Sequence, residues 1–207
     1  MRELHLKAPL TDSDIARLDI GDIVYFSGEG WTCRSKLQKA AFEEGWRLPF
    51  STRKRNLLIH VGPVVVKEKR GWRLVAFNPT SSIRFEKWGP RAIVEWGLKA
   101  IVGKTTMGPG TQRAMKEHNC IHATPVGIAS NSYLEQMTIK DVFGFEEFGS
   151  IEAAWILQLK EFGPFLVDID AKGRSYFDRW DTAVGDAKKR VYANLGIPQD
   201  FSYTKLH

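Results

Sequence analysis

Leu98–Cys120, with the sequence LKAIVGKTTMGPGTQRAMKEHNC, is the stretch that decides the fold. Ala100–Val102 predicts a short buried strand, a glycine turn carrying Lys104 follows, and a helix is expected from about Thr111. A lysine at the exit of a buried strand, beside free amides at a helix start, is an arrangement that binds an anion. The stretch therefore predicts an anion site at Lys104, the alternative being a solvated turn lysine.

The same stretch matches a nucleotide-binding P-loop only in part. Gly103-Lys104-Thr105 supplies the end of the GxxxxGK[ST] pattern, but the first glycine falls at Gly97 instead of Leu98. The residues between are apolar and strand-like, whereas a P-loop needs exposed backbone amides. We therefore exclude nucleotide binding by this motif.

Bulk composition is that of a soluble globular protein. The 207 residues are 43% hydrophobic and 26% charged, enough for one well-packed domain. The net charge of +6 favours an anionic partner, whether nucleic acid, an acidic metabolite or an acidic subunit. No signal peptide or membrane-spanning run is visible, and Cys33 and Cys120 lack metal-ligand spacing. We expect a cytoplasmic, reduced protein with no metal ligands of its own.

The remaining pattern predicts alternating strands and helices, with hairpin-like pairs before and after. Strands are predicted at Leu4–Leu10, Ile23–Phe26, Leu57–Ile59, Val64–Lys67, Trp72–Phe77, Ile121–Thr124, Val142–Phe148, Trp155–Leu159 and Phe165–Asp170. Helices are predicted at Ile15–Leu18, Trp31–Gly45, Ile93–Leu98, beyond Pro125-Val126-Gly127, and at Ser175–Leu195. This order predicts an α/β domain with a central parallel sheet and a second, antiparallel sheet.

Three glycine-containing or polar turns that carry positive side chains all follow predicted strands. They carry Arg34, the pair Thr80 and Arg84, and Lys104. In a parallel sheet such turns gather at the carboxyl edge, where α/β proteins bind ligands, so we expect these four residues to converge. Arg34 also lies at a helix start, where its charge opposes the helix dipole unless an anion is bound.

Six phrases, in one order along the chain, resemble the beta subunit or C-terminal domain of class I (iron–sulfur) fumarate hydratases and L-tartrate dehydratases. The phrases are LTDSDIARLDIGDIVYFSG, GWTCR, the Gly62-Pro63 step, NPTSSIR, AIVGKTTMG and EFGPFLVDIDAKG. The resemblance covers roughly Pro9 to Gly173 and implies a swivelling three-layer β/β/α domain over residues 1–173. Residues 174–207 are then expected to be a C-terminal helical extension packed on the same domain.

The resemblance implies one half of a hydro-lyase that adds or removes water on a four-carbon dicarboxylate such as fumarate, malate or tartrate. It implies that an alpha partner, and not this chain, ligates a [4Fe–4S] cluster that acts as Lewis acid on the leaving hydroxyl. By matching position, Thr80 is implicated in proton abstraction. Arg34, Arg84 and Lys104 match substrate-binding positions.

These residue types suit a substrate with two carboxylates. A guanidinium grips a carboxylate through two parallel hydrogen bonds, and nearby cations stabilise the negative charge that builds up when a proton leaves. A threonine hydroxyl acts as a base at neutral pH only where cations and a dry pocket lower its pKa.

Some positions depart from the family pattern. Ser35 and Gln38 stand where the family commonly has Asp and His, and Thr105 stands where it usually has Gly. We expect Ser35, Gln38 and Ser81 to lie just behind the substrate-binding side chains. Loss of a carboxylate and an imidazole there predicts a changed proton path or substrate choice.

Other polar residues are expected to be structural. Cys33 is interpreted as a small apolar filler, with a reactive thiol as the alternative. His60 and His122 lie in strand patterns and are interpreted as hydrogen-bonded core residues, with a ligand role as the alternative. Asp168 and Asp170 alternate along one strand face, and we assign them to structure in preference to catalysis.

Two further functions stay open. Arg53–Arg55 and Lys67–Arg70, with Trp72 nearby, would suit a basic nucleic-acid or anion-binding module, although no RNA- or DNA-binding motif supports it. A catalytically silent scaffold subunit would explain Ser35 and Gln38.

The last predicted helix carries an apolar stripe at helical spacing. Its members are Phe177, Trp180, Val184, Val191 and Leu195. We interpret this stripe as packing against the domain and not as a partner surface.

Overall fold

The computed structural model describes residues 1–127, 129–198, 200 and 201, and most of its strands lie in one seven-stranded sheet. The strands are β1 (Glu3–Lys7), β2 (Ile23–Thr32), β3 (Leu57–Ile59), β4 (Val64–Lys67), β5 (Trp72–Ala76), β6 (Ala100–Val102), β7 (Ile121–Pro125), β8 (Met137–Phe143) and β9 (Ala154–Ile169). The helices are α1 (Asp12–Ala16), α2 (Ser35–Glu43), α3 (Gly89–Trp96), α4 (Pro109–His118), α5 (Phe145–Phe148) and α6 (Tyr176–Asn194). Short 3₁₀ turns cover Ser82–Phe85 and Leu134–Gln136.

The large sheet has the order β1-β2-β3-β6-β7-β9-β8 and is parallel from β1 to β7. The long strand β9 runs antiparallel to β7 and β8. It also pairs with β2, from Ile23 opposite Leu166 to Trp31 opposite Ile156, so the sheet closes on itself. Strands β4 and β5 form a separate antiparallel pair. The predicted α/β class with a central sheet and a second antiparallel sheet is confirmed.

Strands β3 and β6 are buried on both faces, and alternate residues enter different cores. Leu57 and Ile59 join one core, and Leu58 joins a second core that α2, α3 and α4 cover. Their helices contribute Leu37 and Met115, among others, to that second core. Buried this way, β3 and β6 hold their carboxyl ends rigidly at one edge of the sheet.

Strand β2 differs from its prediction, because it continues through Gly28 and Gly30 to Thr32. Helix α2 consequently begins at Ser35 and not at Trp31. The reason is packing: Gly28 has φ of 100°, and a Cβ there would lie 2.4 Å from the carbonyl oxygen of Ala8. The glycine permits close approach of a neighbouring segment and does not end the strand.

The second half of the chain differs in three places. The two strands predicted at Trp155–Leu159 and Phe165–Asp170 are the single strand β9, because β2 pairs along nearly its whole length. The strand predicted at Val142–Phe148 ends at Phe143, where α5 takes over. Between the Pro125–Gly127 turn and β8, the described residues form turns and the Leu134–Gln136 3₁₀ segment in place of the predicted helix, and Ile128 lies outside the described residues.

Helix α6 forms as expected, with Ser175 as its N-cap, but its apolar stripe is not the packed face that the sequence predicted. The stripe residues Phe177, Trp180, Val184, Val191 and Leu195 are between 37% and 67% exposed. The helix meets the domain near its start, where Gln112 donates a hydrogen bond to Asp178 at 3.4 Å. Within the described part of the chain, no helix is long and apolar enough to span a membrane.

Candidate functional site

Thr80 and Lys104 meet at the carboxyl ends of β3 and β6. The Thr80 amide donates to the carbonyl of His60, just past β3, at 2.6 Å. The Lys104 amide donates to the Thr80 carbonyl at 3.0 Å, and the Ser82 amide donates to the Lys104 carbonyl at 2.9 Å. Ser81 and Lys104 therefore form an isolated parallel bridge. These backbone hydrogen bonds, which we call the Thr80–Lys104 ladder, extend the sheet by one residue pair and fix the Thr80 loop against the strand ends.

Arg34 reaches the same edge from the end of β2, where it is the N-cap residue of α2. A Cβ on Gly62 would lie 2.9 Å from the Arg34 Cδ, so this glycine lets the arginine lie across the end of β3. Arg34 Nε is 3.7 Å from the Glu152 carboxylate, too far for a hydrogen bond. Glu152 instead accepts the backbone amide of Lys36 at 2.7 Å. Arg34 Nε is buried without a hydrogen-bond partner among the described residues, so the guanidinium retains donor capacity.

Arg84 is the third residue of the Ser82–Phe85 turn and is exposed, whereas Lys104 is half-buried. Neither side chain forms an ion pair within residues 1–127, 129–198 and 200–201. No hydrogen bond there joins the Arg84 side chain to Arg34, Thr80 or Lys104. The structure thus brings Arg34, Thr80 and Lys104 to one edge and sets Arg84 one turn beyond Ser81.

The three supporting residues, Ser35, Gln38 and Ser81, lie at different depths beside the site. Ser35 opens α2 beside Arg34, and Ser81 pairs with Lys104. Gln38 is buried, with its Nε2 3.5 Å from Nε2 of His60, and its Oε1 lacks a hydrogen-bond partner in the described part of the chain.

Further buried polar atoms at this edge are unpaired. Asn78 Oδ1 and Thr106 Oγ1, each two residues from Thr80 or Lys104, have no hydrogen-bond partner within the structure described. Buried polar atoms are normally paired, so a group of unpaired ones around a single edge indicates a place where a ligand or partner supplies the missing bonds.

The amides at the start of α4 are not free, which corrects the first expectation for this region. One carboxylate oxygen of Glu86 accepts from the Gly108 amide at 2.7 Å, and the other accepts from the Thr111 amide at 3.0 Å. The Thr111 hydroxyl also donates to Glu86 at 2.7 Å. An internal carboxylate therefore occupies this helix start, and any external anion is left to the cationic side chains.

A buried row of side chains runs directly beneath the Thr80–Lys104 ladder. His122 Nδ1 lies 2.6 Å from the Asp168 carboxylate, and its Nε2 lies 2.8 Å from the Ser82 hydroxyl. The same hydroxyl lies 2.9 Å from Nδ1 of His60. All four residues are at most 1% exposed. We call His60, Ser82, His122 and Asp168 the buried relay.

The histidines are hydrogen-bonded core residues, as expected, but the sequence did not show that Ser82 links them. Asp170 has the structural role assigned to it, because it accepts the amides of Lys172 and Arg174 at 3.0 and 3.1 Å. The sequence shows that Asp168 and Asp170 share a strand face, but it does not show which residue lies next to them. The β7–β9 register, in which His122 lies opposite Ile169, is needed to place His122 beside Asp168.

Burial sets the protonation of several groups near the site. Desolvation, with a smaller contribution from His122, holds the pKa of His60 well below its ordinary value. Burial raises the pKa of the Cys33 thiol well above its usual range and that of Cys120 to about 12. A thiolate is the form that binds iron, so these thiols do not fit as cluster ligands. The described residues also contain no group of three or more His, Cys, Asp or Glu side chains placed to hold a metal ion.

Comparison with known proteins gives consistent matches. Residues 1–180 match the family described as Fumarase C-terminus. The L(+)-tartrate dehydratase subunit beta of Escherichia coli (strain K12) is 31% identical over 171 residues, which are 82% of this chain and 84% of that protein. The putative L(+)-tartrate dehydratase subunit beta of Methanocaldococcus jannaschii is 29% identical over 190 residues, covering 90% and 93%. A putative fumarate hydratase class I of Geobacillus stearothermophilus is 31% identical over 175 residues, 84% of this chain but 33% of that longer protein.

Proposed function

Because this chain belongs to the fumarase C-terminus family, we propose that it is the beta subunit of a hydro-lyase acting on a four-carbon dicarboxylate. Fumarate, malate and tartrate are the substrates to test first, since similar proteins are named for fumarate and tartrate. The observation that carries the proposal is the meeting of Arg34, Thr80 and Lys104 at one strand edge. No carboxylate of the described residues accepts a hydrogen bond from either cation, and Glu152 lies 3.7 Å from Arg34 Nε.

Arg34 and Lys104 have the properties that substrate carboxylates require. Arg34 keeps an unused donor in a largely buried setting, where a charge-assisted hydrogen bond is stronger than in water. Lys104 carries a half-buried positive charge, and its backbone amide donates a hydrogen bond to the Thr80 carbonyl. Arg84, exposed in its turn, would close over the second carboxylate from the solvent side.

Thr80 is the residue we assign to proton transfer. Its loop is held from two sides, by His60 and by Lys104, so the hydroxyl is presented on a rigid support. Positive charge from Lys104 and Arg34 favours the deprotonated hydroxyl and the negative charge that develops next to the substrate carboxylate.

We assign the [4Fe–4S] cluster to an alpha partner, because the two thiols of this chain are buried and held in the protonated form. The unpaired polar atoms Asn78 Oδ1 and Thr106 Oγ1 would then face the partner or the substrate. The pair is placed in the cytoplasm, where thiols remain reduced.

The test is to co-express the chain with the alpha-type subunit of its own organism and assay hydration of fumarate and dehydration of malate and tartrate. Thr80→Ala should lower kcat on the order of a hundredfold with little change in KM, since it removes a proton-transfer group but no charge. Arg84→Lys should chiefly raise KM, by about 1–3 kcal/mol of lost binding, because the guanidinium fork is lost.

Two matched controls come from exposed strand positions. Thr138→Ala on β8 and Arg73→Lys on β5 should leave kcat and KM unchanged. A pair that assembles but turns over none of the substrates would indicate the silent scaffold instead. An unchanged kcat in Thr80→Ala would leave Thr80 as a positioning residue.

A further inference from the structure

The buried relay forms a continuous row of hydrogen bonds with a definite direction. An ionised Asp168 can only accept, so His122 Nδ1 carries the hydrogen and His122 Nε2 accepts from the Ser82 hydroxyl. Ser82 then accepts from the N–H at Nδ1 of His60. The remaining nitrogen of His60, Nε2, is the open end of the row and faces Gln38.

When one more proton is added, the hydrogen bonds between His60 and Ser82 and between Ser82 and His122 can reverse, so that each donor becomes an acceptor. A proton that arrives at His60 Nε2 lets Nδ1 pass its hydrogen to Ser82, and the Ser82 hydroxyl passes its own hydrogen to His122 Nε2. His122 is then an imidazolium paired with the Asp168 carboxylate, and His60 is neutral again. Each O–H or N–H bond that breaks is replaced by one that forms, so the step needs no other reactant. The unpaired Gln38 Oε1 is placed to accept the new N–H of His60 after a rotation of the amide.

The relay is attached directly to the loop that carries Thr80. His60 holds this loop twice, through its carbonyl to the Thr80 amide at 2.6 Å and through its ring to Ser82 at 2.9 Å. Space for the Ser82 hydroxyl exists only because residue 103 is glycine, where a Cβ would lie 1.8 Å from Ser82 Oγ. A change in the relay therefore reaches Thr80 without any intervening residue.

We propose that His60, Ser82, His122 and Asp168 are a proton relay that takes up the proton released at Thr80 and holds it on His122 against Asp168. This inference rests on the proposed function. In the reaction the substrate C–H bond breaks, its electron pair stays on carbon, and Thr80 receives the proton. The proton then passes from Thr80 to His60 Nε2 and along the row to His122, which restores Thr80. The reverse passage returns it to the pocket, where the leaving hydroxyl takes it up to form water, so the row is empty again for the next turnover. The four residues do not touch substrate and act through Thr80, so they are positioning and proton-holding residues.

Burial and neighbouring charges agree with this assignment. The lowered pKa of His60 means that a proton passes through its ring but does not rest there, whereas His122 has a carboxylate beside it. Nearby titratable groups include Cys33, just past the end of β2 and hydrogen-bonded by Gln38, the Arg34–Glu152 pair, and Lys104 past β6.

Asp168→Asn is the first test, because asparagine can still accept from His122 Nδ1 but cannot pair with an imidazolium. In the assembled enzyme kcat should fall on the order of tenfold to a hundredfold, with KM little changed, and the pH profile of kcat should lose one ionisation. Asp170→Asn is the matched control: this buried aspartate two residues away holds the Lys172–Arg174 turn, so its loss should lower the Tm but keep the pH profile.

A second measurement does not depend on enzyme activity, so it tests the relay independently of the proposed hydro-lyase function. Nitrogen NMR of the full chain labelled at histidine should show His122 gaining a second N–H as the pH falls, while His60 keeps one bare nitrogen. If the assembled pair is inactive but this titration is seen, the hydro-lyase assignment is wrong and the relay stands. If His122 never becomes an imidazolium, or Asp168→Asn leaves the pH profile intact, the relay is overturned and the row is only a support.

Two further variants cover the case in which Asp168→Asn does not fold. Ser82→Ala breaks the row without removing a buried charge and should uncouple the two histidines, with the same loss of kcat. Gly103→Ala should displace Ser82 and lower both the Tm and kcat. Adding Ser82→Ala should recover part of the Tm but not kcat, because it removes the contact with Ser82 Oγ while the new Cβ stays 3.2 Å from the Cβ atoms of His60 and residue 82. Recovery of kcat in the double variant would contradict the relay, and Ser51→Ala, at an exposed serine, should change neither quantity.

Discussion

Thr105 has a φ of 67°, a left-handed conformation that β-branched residues rarely adopt. It follows Lys104 at the point where the site ladder turns toward α4, and its hydroxyl donates to the Lys104 carbonyl at 2.5 Å. The family resemblance placed a glycine here. The backbone therefore keeps the conformation of a glycine turn while carrying a residue that is strained in it.

Thr105→Gly should raise the free energy of unfolding by about 1 kcal/mol, since relief of the strained φ exceeds the added flexibility of the unfolded glycine. Thermal or urea unfolding of the purified chain measures this. Thr106→Gly, at a neighbouring threonine without positive φ, should destabilise instead. A loss of stability in Thr105→Gly would show that the hydroxyl contact to Lys104 outweighs the strain.

For single residues, the sequence predicted which side chains lie at the sheet edge better than it predicted which side chains hydrogen-bond to one another. Arg34, Thr80 and Lys104 were expected at one edge because each follows a strand, and this depends only on local pattern and on the geometry of parallel sheets. Their catalytic and binding roles stay predictions. The relay was not predicted, because His60 and His122 come together through Ser82 only once the strand register is known, and no local pattern encodes that register.

Among the elements, α4 has backbone amides at its start that are hydrogen-bonded by a side chain distant in sequence. Glu86, from the turn before α3, binds the Gly108 and Thr111 amides with both carboxylate oxygens. The glycines help, because a Cβ on Gly108 would lie 2.7 Å from the Glu86 carboxyl carbon. This cap also ties α3 to α4 in front of the second core.

Glu86→Gln should lower the free energy of unfolding by about 1–2 kcal/mol, because the amide removes the negative charge at the helix start and one of two acceptors. Glu95→Gln on α3 is the control. Glu95 forms an exposed ion pair with Arg91, so this change should alter stability by less than about 0.5 kcal/mol. Equal unfolding midpoints for the two variants in a denaturant titration would contradict the capping role.

Helix α6 and strand β2 show that periodicity and glycine positions do not encode tertiary contacts. The stripe of α6 has helical spacing, which tells which side chains share a face but not what covers that face, and here Trp180 and Leu195 are 52% and 67% exposed. The predicted strand Ile23–Phe26 stops short of Gly28, whereas β2 continues through this glycine to Thr32. The glycine serves the approach of Ala8, a contact that pattern alone does not contain.

At the scale of the whole molecule, stability should depend on pH through buried His60. Its pKa is lowered in the folded state from the ordinary value of 6.5, so below pH 6.5 the unfolded chain binds a proton that the folded chain does not. The free energy of unfolding should therefore be highest above pH 6.5. It should fall by up to about 1.4 kcal/mol per pH unit as the pH drops toward the folded-state pKa.

His60→Asn is the matched variant, because its amide can still donate to Ser82 from the place of Nδ1 but does not titrate. Urea unfolding at a series of pH values should show a shallower decline for His60→Asn below pH 6.5 than for the parent chain. The carboxylates with lowered pKa, such as Asp19 and Asp22, lose their contribution only below about 3.8 and so act in a separate window. Parallel curves for the two proteins would show that His60 does not control this slope.

The pairing of β2 with β9 has a consequence for the order in which the chain is made. Trp31 leaves the ribosome early, yet its partner Ile156 emerges only when most of the protein has been translated. Until then β2 has β1 and β3 beside it but not β9, so the sheet cannot close, and closing so large a loop is slow. The nascent chain thus carries an unfinished strand edge through most of its synthesis, and such an edge is open to pairing with other chains until β9 covers it.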